Sequence, residues 1–209
     1  MGGVSAEGIA PCAALVERGD AERFAAVMAA PVAARGALLV LYAFNLEVAR
    51  APWVTKEPMI AEMRLQWWRD VLAEAEAGKP ARAHEVAGPL AALIKGAGVP
   101  VAVLDRLVEA RRWDVYREAF ENEAAFDAYL EDSGAGLMWA AGRALGAGAA
   151  DEACLRGLGW AVALAGVLRA VPELEARGRI PLVDGRAEAV AALAREGLAR
   201  LEGARGGLR

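Results

Sequence analysis

Apolar residues recur three and four positions apart along nearly the whole chain, and no stretch alternates apolar with polar over the length of a strand. That pattern excludes sheet architectures and leaves packed helices. Pro31 predicts the first turn of a helix running through VAARGALLVLYAFNLEVAR to Arg50, with Pro52 as its stop. A second long helix is predicted over Glu57–Ala77, ended by Gly78-Lys79-Pro80. Shorter helices fit 84–95, 101–121 and 123–132. Gly134-Ala135-Gly136 is read as the start of another, reaching about Leu145, and 151–169 as the most apolar helix. Pro172, Gly178 and Pro181 are expected to break the chain after that helix, ahead of an amphipathic helix over 186–202 and a Gly/Arg tail. With no internal repeat or linker, the reading is a single all-α domain over 1–209, with 1–19 as an N-terminal extension.

Composition narrows the function classes. A chain that is 56% hydrophobic and 25% charged has material for a core and is not a disordered tail. A net charge of −4 argues against nucleic acid as a partner. Cys12 and Cys154 show no pairing pattern, which fits a reducing compartment. Residues 1–10 lack the features of a signal peptide, and Ala6 stands where a myristoylation signal needs Ser or Thr. The uncharged run 157–168, between Arg156 and Arg169, is too short to span a bilayer. The expected location is therefore cytoplasmic, either soluble or peripheral on the inner membrane.

Residue types that usually carry chemistry are sparse. His84, the one histidine, reads as a surface side chain, and neither cysteine has a histidine partner or metal-ligand spacing. Gly134-Ala135-Gly136 offers a faint hint of anion binding as a helix start, but there is no phosphate-cradling loop. The Arg64/Gln66/Trp67/Trp68/Arg69 cluster reads as a half-buried helix with arginine stems over indoles. Small residues crowd several helices, including Ala33-Ala34, Gly36-Ala37, Ala140-Ala141, Gly159 and Ala163. They fit either tight packing without a cavity or close packing around a central space.

Two segments carry a resemblance: YAFNLEVAR at 42–50 and ALAGVLRAVPELEARGRIPLV at 163–183. Together they resemble the squalene/phytoene synthase family. Trp68-Arg69, the loop from Gly78 to Val86, and DAYLEDSGAGLMWAAGRALG from Asp127 to Gly146 are similar to further stretches of it, so the likeness spans roughly residues 20–183. It implies an isoprenoid-synthase-like helical bundle around a central cavity, with 184–209 as a shortened C-terminal helix and tail. The family joins two prenyl diphosphates head to head. Departure of diphosphate in an apolar cavity requires cations on its oxygens, supplied by magnesium held on two aspartate clusters of facing helices.

At the positions that match the first cluster, this chain has Ala49, Arg50 and Trp53; at those of the second, Ala170 and Leu174. None of these side chains ligates magnesium. Glu47 lies about 200° round the helix from Ala49, and Glu173 and Glu175 lie about 100° either side of Leu174, so no neighbouring acid substitutes on geometry. Tyr42, Arg50, Arg169, Arg177 and Arg179 remain as candidate phosphate or ligand contacts. The wording Ala43-Phe44-Asn45, Glu47, Met63-Arg64, Gln66 and Trp68 resembles the family's non-catalytic branch, which includes an assembly factor for respiratory complex I. The resemblance therefore implies a pseudoenzyme: a scaffold or assembly factor with a prenyl or lipid ligand, a membrane-protein client of the respiratory chain and no cofactor. The alternative is an active prenyltransferase, which would need magnesium or the four arginines.

Overall fold

The computed structural model describes residues 6–207, and every regular element among them is helical. The α-helices are α1 (Ala6–Gly19), α2 (Ala21–Ala29), α3 (Val32–Arg50), α4 (Pro58–Glu76), α5 (Ala87–Ala97), α6 (Val101–Ala110), α7 (Arg112–Val115), α8 (Glu123–Leu130), α9 (Gly136–Ala144), α10 (Glu152–Ala176) and α11 (Ala187–Gly207). Capping follows local chemistry. The Asp20 carboxylate accepts from the Arg23 amide at 2.9 Å to start α2, and the Asn122 side chain accepts from the Ala125 amide at 2.9 Å to start α8.

Helix α3 is the centre of the larger core. Leu39, Val40, Leu41, Ala43, Phe44 and Val48 are buried in it, with α1, α2, α5 and α9 packed around. Phe44 meets Trp68 of α4 edge to face at 5.4 Å. A smaller core gathers Phe120, Phe126, Leu130, Trp160, Leu164 and Leu182 between α8, α10 and α11. Helix α10 joins the two halves, and glycine makes that joint possible. A β-carbon on Gly134 would lie 2.3 Å from the Ala163 β-carbon, and one on Gly159 would lie 2.5 Å from the Gly134 carbonyl oxygen.

Several expectations are corrected. The helix expected over 101–121 stops at Ala110, resumes for α7 and gives way to irregular chain from Tyr116. There Trp113 folds back to stack on Phe120 at 4.1 Å, and Arg179 takes the backbone carbonyls that the break releases. Gly134-Ala135-Gly136 does not start a helix. A π turn over Glu131–Ala135 links α8 to α9 in one continuous path, so no free amides remain there for an anion. Pro172 sits inside α10 without ending it, on an exposed face of the helix.

The Gly/Arg tail is helical to Gly207, where α11 packs against Cys154 of α10. Within the segment set apart as an N-terminal extension, α1 buries Cys12 and Val16 in the main core; residues 1–5 of that segment lie outside the described residues. The guanidinium over Trp67 belongs to Arg82, at 5.5 Å, while Arg69 turns to Asp105 and Glu109. Val32–Arg50 and Ala149–Ala176 are each long and apolar enough to cross a membrane by length and composition, a longer reach than the run 157–168. The first is the core helix just described.

Candidate functional site

A cavity of about 330 Å³ lies between α3 and α10. Its walls are mostly small or apolar: Ala49 from α3, Leu137 and Met138 from α9, and Gly159, Val162, Ala163, Gly166, Val167, Ala170 and Leu174 from α10. The small residues of α10 therefore serve both purposes raised by the sequence. Gly159 and Ala163 bring the π turn close, and Gly166 and Ala170 leave space.

One end of the cavity is polar. Arg111 donates to the Tyr129 hydroxyl at 2.8 Å and to the Asp114 carboxylate at 3.3 Å, and the Tyr129 hydroxyl donates to Asp114 at 3.3 Å. The spacing of the chain brings these groups together: Arg111 and Asp114 are three residues apart at the α6–α7 junction. Ser133, one π turn beyond Tyr129, donates to the Tyr129 carbonyl at 2.5 Å. Asp114 is the one carboxylate among the lining residues. Burial pushes its pKa above the usual value, against the pull of the Arg111 cation. Burial raises the Tyr129 hydroxyl in the same way.

Arg179 supports this end from behind. Gly178, at φ +74°, turns the chain at the end of α10. The Arg179 guanidinium then donates to the backbone carbonyls of Tyr116, at 2.6 Å, and Asp114. It also lies over the Trp53 and Trp113 rings, at 4.6 and 5.9 Å. Three buried side-chain atoms among the described residues have no hydrogen-bond partner: Asn45 Oδ1, Arg111 Nε and Trp113 Nε1. All three residues line this cavity.

The residues singled out in the sequence divide cleanly. Ala49, Trp53, Ala170 and Leu174 line the cavity, as does Tyr42, whose ring lies beneath the Arg23 guanidinium at 5.6 Å. Arg50 does not; it is half-exposed and pairs with Glu47 at 3.3 Å. Arg169 is exposed and pairs with Glu22 of α2 at 3.2 Å. Arg177 pairs with Glu173 and, like Arg179, lies over Trp53, at 5.0 Å. Two of the four arginines thus meet, on an indole. Sequence reasoning missed Arg111, Asp114 and Trp113, and it quoted Asn45 and Tyr129 only as parts of motifs. An asparagine inside the apolar run of α3 was the available signal.

A helical bundle with a cavity between the long helices α3 and α10 defines a class, and the comparisons agree with it. The profile of the squalene/phytoene synthase family matches residues 16–189, so the chain belongs to that family. Its fold is similar to that of a dehydrosqualene synthase crystallised with ligand, at TM-score 0.79 and 16% identity, over 96% of this chain and 75% of that one. It is also similar to the squalene synthase HpnC from Alicyclobacillus acidocaldarius, at TM-score 0.83 and 17% identity, over 98% of this chain and 85% of that one. In sequence the chain is similar to "NADH dehydrogenase (ubiquinone) complex I, assembly factor 6" of Homo sapiens, 25% identical over 128 residues. The homologue in Drosophila melanogaster is 30% identical over 132 residues. Each match covers 61% of this chain but only 38% and 39% of those relatives.

Proposed function

We propose that this chain is a non-catalytic member of the family, an assembly or scaffold factor for a membrane protein of the respiratory chain that keeps its cavity for a prenyl or lipid ligand. The observation that carries the reading is the identity of the groups lining the cavity. At four of the five positions where the family resemblance calls for aspartate, the cavity meets two methyl groups, an isobutyl group and an indole, from Ala49, Ala170, Leu174 and Trp53. The fifth, Arg50, points its charge to Glu47.

The donor set does not fit magnesium. The one lining carboxylate, Asp114, already accepts from Arg111 and Tyr129, and no group of three or more His, Cys, Asp or Glu among the described residues is arranged to hold a metal ion. The arginines do not substitute as a diphosphate clamp, because Arg50, Arg169 and Arg177 are paired with carboxylates. Similarity to two complex I assembly factors supports a respiratory-chain client. A client of that kind calls for a peripheral protein working against the inner membrane.

The test is incubation of the purified chain with farnesyl or geranylgeranyl diphosphate and magnesium. The expected result is neither hydrocarbon product nor released pyrophosphate. Turnover that a chelator abolishes would overturn the reading. Co-purification from the native membrane fraction examines the client: a reproducible respiratory-chain subunit is expected, and recovery of the chain alone counts against assembly.

A further inference from the structure

We propose that the corner between α3 and α4 is a membrane-contacting surface, which seats Val54, Met59, Ile60 and Met63 among the lipids of an anionic bilayer and holds Lys56 and Arg64 at the headgroups. The proposal rests on the peripheral-membrane reading above and deepens it by naming the face that meets the membrane. From Trp53 to Ile60 every residue except Thr55 is exposed, yet the stretch carries Trp53, Val54, Met59 and Ile60. Met59 is 75% exposed and Met63 65%, while Leu65, Trp68, Val71 and Leu72 of the same helix are buried. With 3.6 residues per turn, Met59, Met63 and Ile60 share an arc of about 100° on α4, and Arg64 follows about 40° beyond Ile60. An apolar patch of this kind marks a surface that another body covers.

Charge points to an anionic surface. Within residues 50–64 the acids are Glu57 and Glu62, and Glu62 is held by Arg112 at 3.0 Å. Arg50 is paired with Glu47 at 3.3 Å. That leaves Lys56 and Arg64, which have no ion-pair partner among the described residues, against Glu57 alone. Arg177, shared between Glu173 and the Trp53 ring, stands beside them. In a chain of net charge −4 this edge is locally basic. Basic side chains beside exposed apolar ones suit the boundary of an anionic bilayer, where stems lie along lipid and charged heads meet phosphate. An indole such as that of Trp53 favours the same depth.

The backbone favours lipid over a protein partner. A segment that enters lipid leaves water behind, so each bare N–H in it is costly. Along residues 52–59 most amides need nothing from outside. Pro52 and Pro58 have no N–H. Trp53 and Val54 donate to the Arg50 carbonyl at 2.9 and 3.2 Å, and Glu57 donates to the Thr55 hydroxyl at 3.1 Å. A docking protein brings acceptors of its own and asks for no such self-sufficiency.

The experiment is flotation of the purified chain with vesicles of phosphatidylcholine alone and of an equimolar mixture with phosphatidylglycerol. The chain is expected to bind the mixture at least fivefold more tightly, and less tightly as salt rises. Met59→Ser together with Met63→Ser is expected to weaken binding to the mixture at least fivefold with the unfolding temperature unchanged, since both side chains already face water. Lys56→Gln together with Arg64→Gln is expected to remove the preference for phosphatidylglycerol. Leu198→Ser, a comparably exposed apolar residue on α11, is expected to change nothing. Equal binding to both vesicles, binding to neither, or binding that the methionine pair leaves intact overturns the proposal. Where the chain floats with neither vesicle and the methionine pair still releases it from the native membrane fraction, the face belongs to a protein partner. Each of these results leaves the non-catalytic reading standing, because turnover with magnesium is scored separately.

Discussion

At residue scale, two glycines facing α10 and solvent respond to an added methyl with opposite signs. Gly134→Ala forces a β-carbon to 2.3 Å from that of Ala163, with backbone oxygen at 2.8 Å, so neither neighbour can yield cheaply. Overpacking of this kind costs about 1–3 kcal/mol. Gly203→Ala, on the exposed side of α11 with nothing within 4 Å of the new carbon, is expected to stabilise by about 0.5–1 kcal/mol through helix propensity. Thermal unfolding of the two variants beside the parent checks both signs. This contrast is invisible in sequence, where both residues are simply glycines flanked by small or charged neighbours. The polar end of the cavity was hidden for a related reason: Arg111 and Asp114 lie in a segment whose periodicity continues the helix of 101–110, and only the fold-back of Trp113 onto Phe120 ends it.

At the scale of elements, the long helices were legible and their junctions were not. The bounds of α3 and α4 follow from Pro31, Pro52 and Gly78, residues whose effect is local. The run of α10 through Pro172 depends on which face that residue occupies, which only packing decides. Pro172→Ala restores an amide to the ladder and is expected to stabilise α10 by up to about 3 kcal/mol, measured by urea unfolding.

Helix α1 supplies a pH dependence. The Cys12 thiol is buried against α5 and its preceding loop, and burial raises its pKa from 9.0 to about 11. The folded state therefore keeps a proton that the unfolded chain loses above about pH 9. Stability is full below pH 9 and falls as pH rises toward 11. Tyr42 and Tyr129, also raised by burial, act with the same sign. The urea midpoint is expected to drop across that range, and less steeply in Cys12→Ala.

For the whole molecule, the fold class and the family were readable because they rest on patterns spread over most of the chain. The cavity was readable only as one of two alternatives, since Gly159, Ala163, Gly166 and Ala170 serve tight packing and open space equally well in a sequence. What the fold adds is placement: Ala49 of α3, Trp53 in the turn after it, and Ala170 and Leu174 of α10 are far apart in the chain and line a single space with Asp114 as its one carboxylate. With that lining, we propose that this space does not grip divalent metal. Titrating the chain with Mn²⁺ and a non-hydrolysable farnesyl thiodiphosphate, followed by electron paramagnetic resonance, tests it most directly. The account predicts the spectrum of the metal–analogue complex unchanged by protein. A stoichiometric protein-bound Mn²⁺ signal, lost on adding chelator, would contradict it.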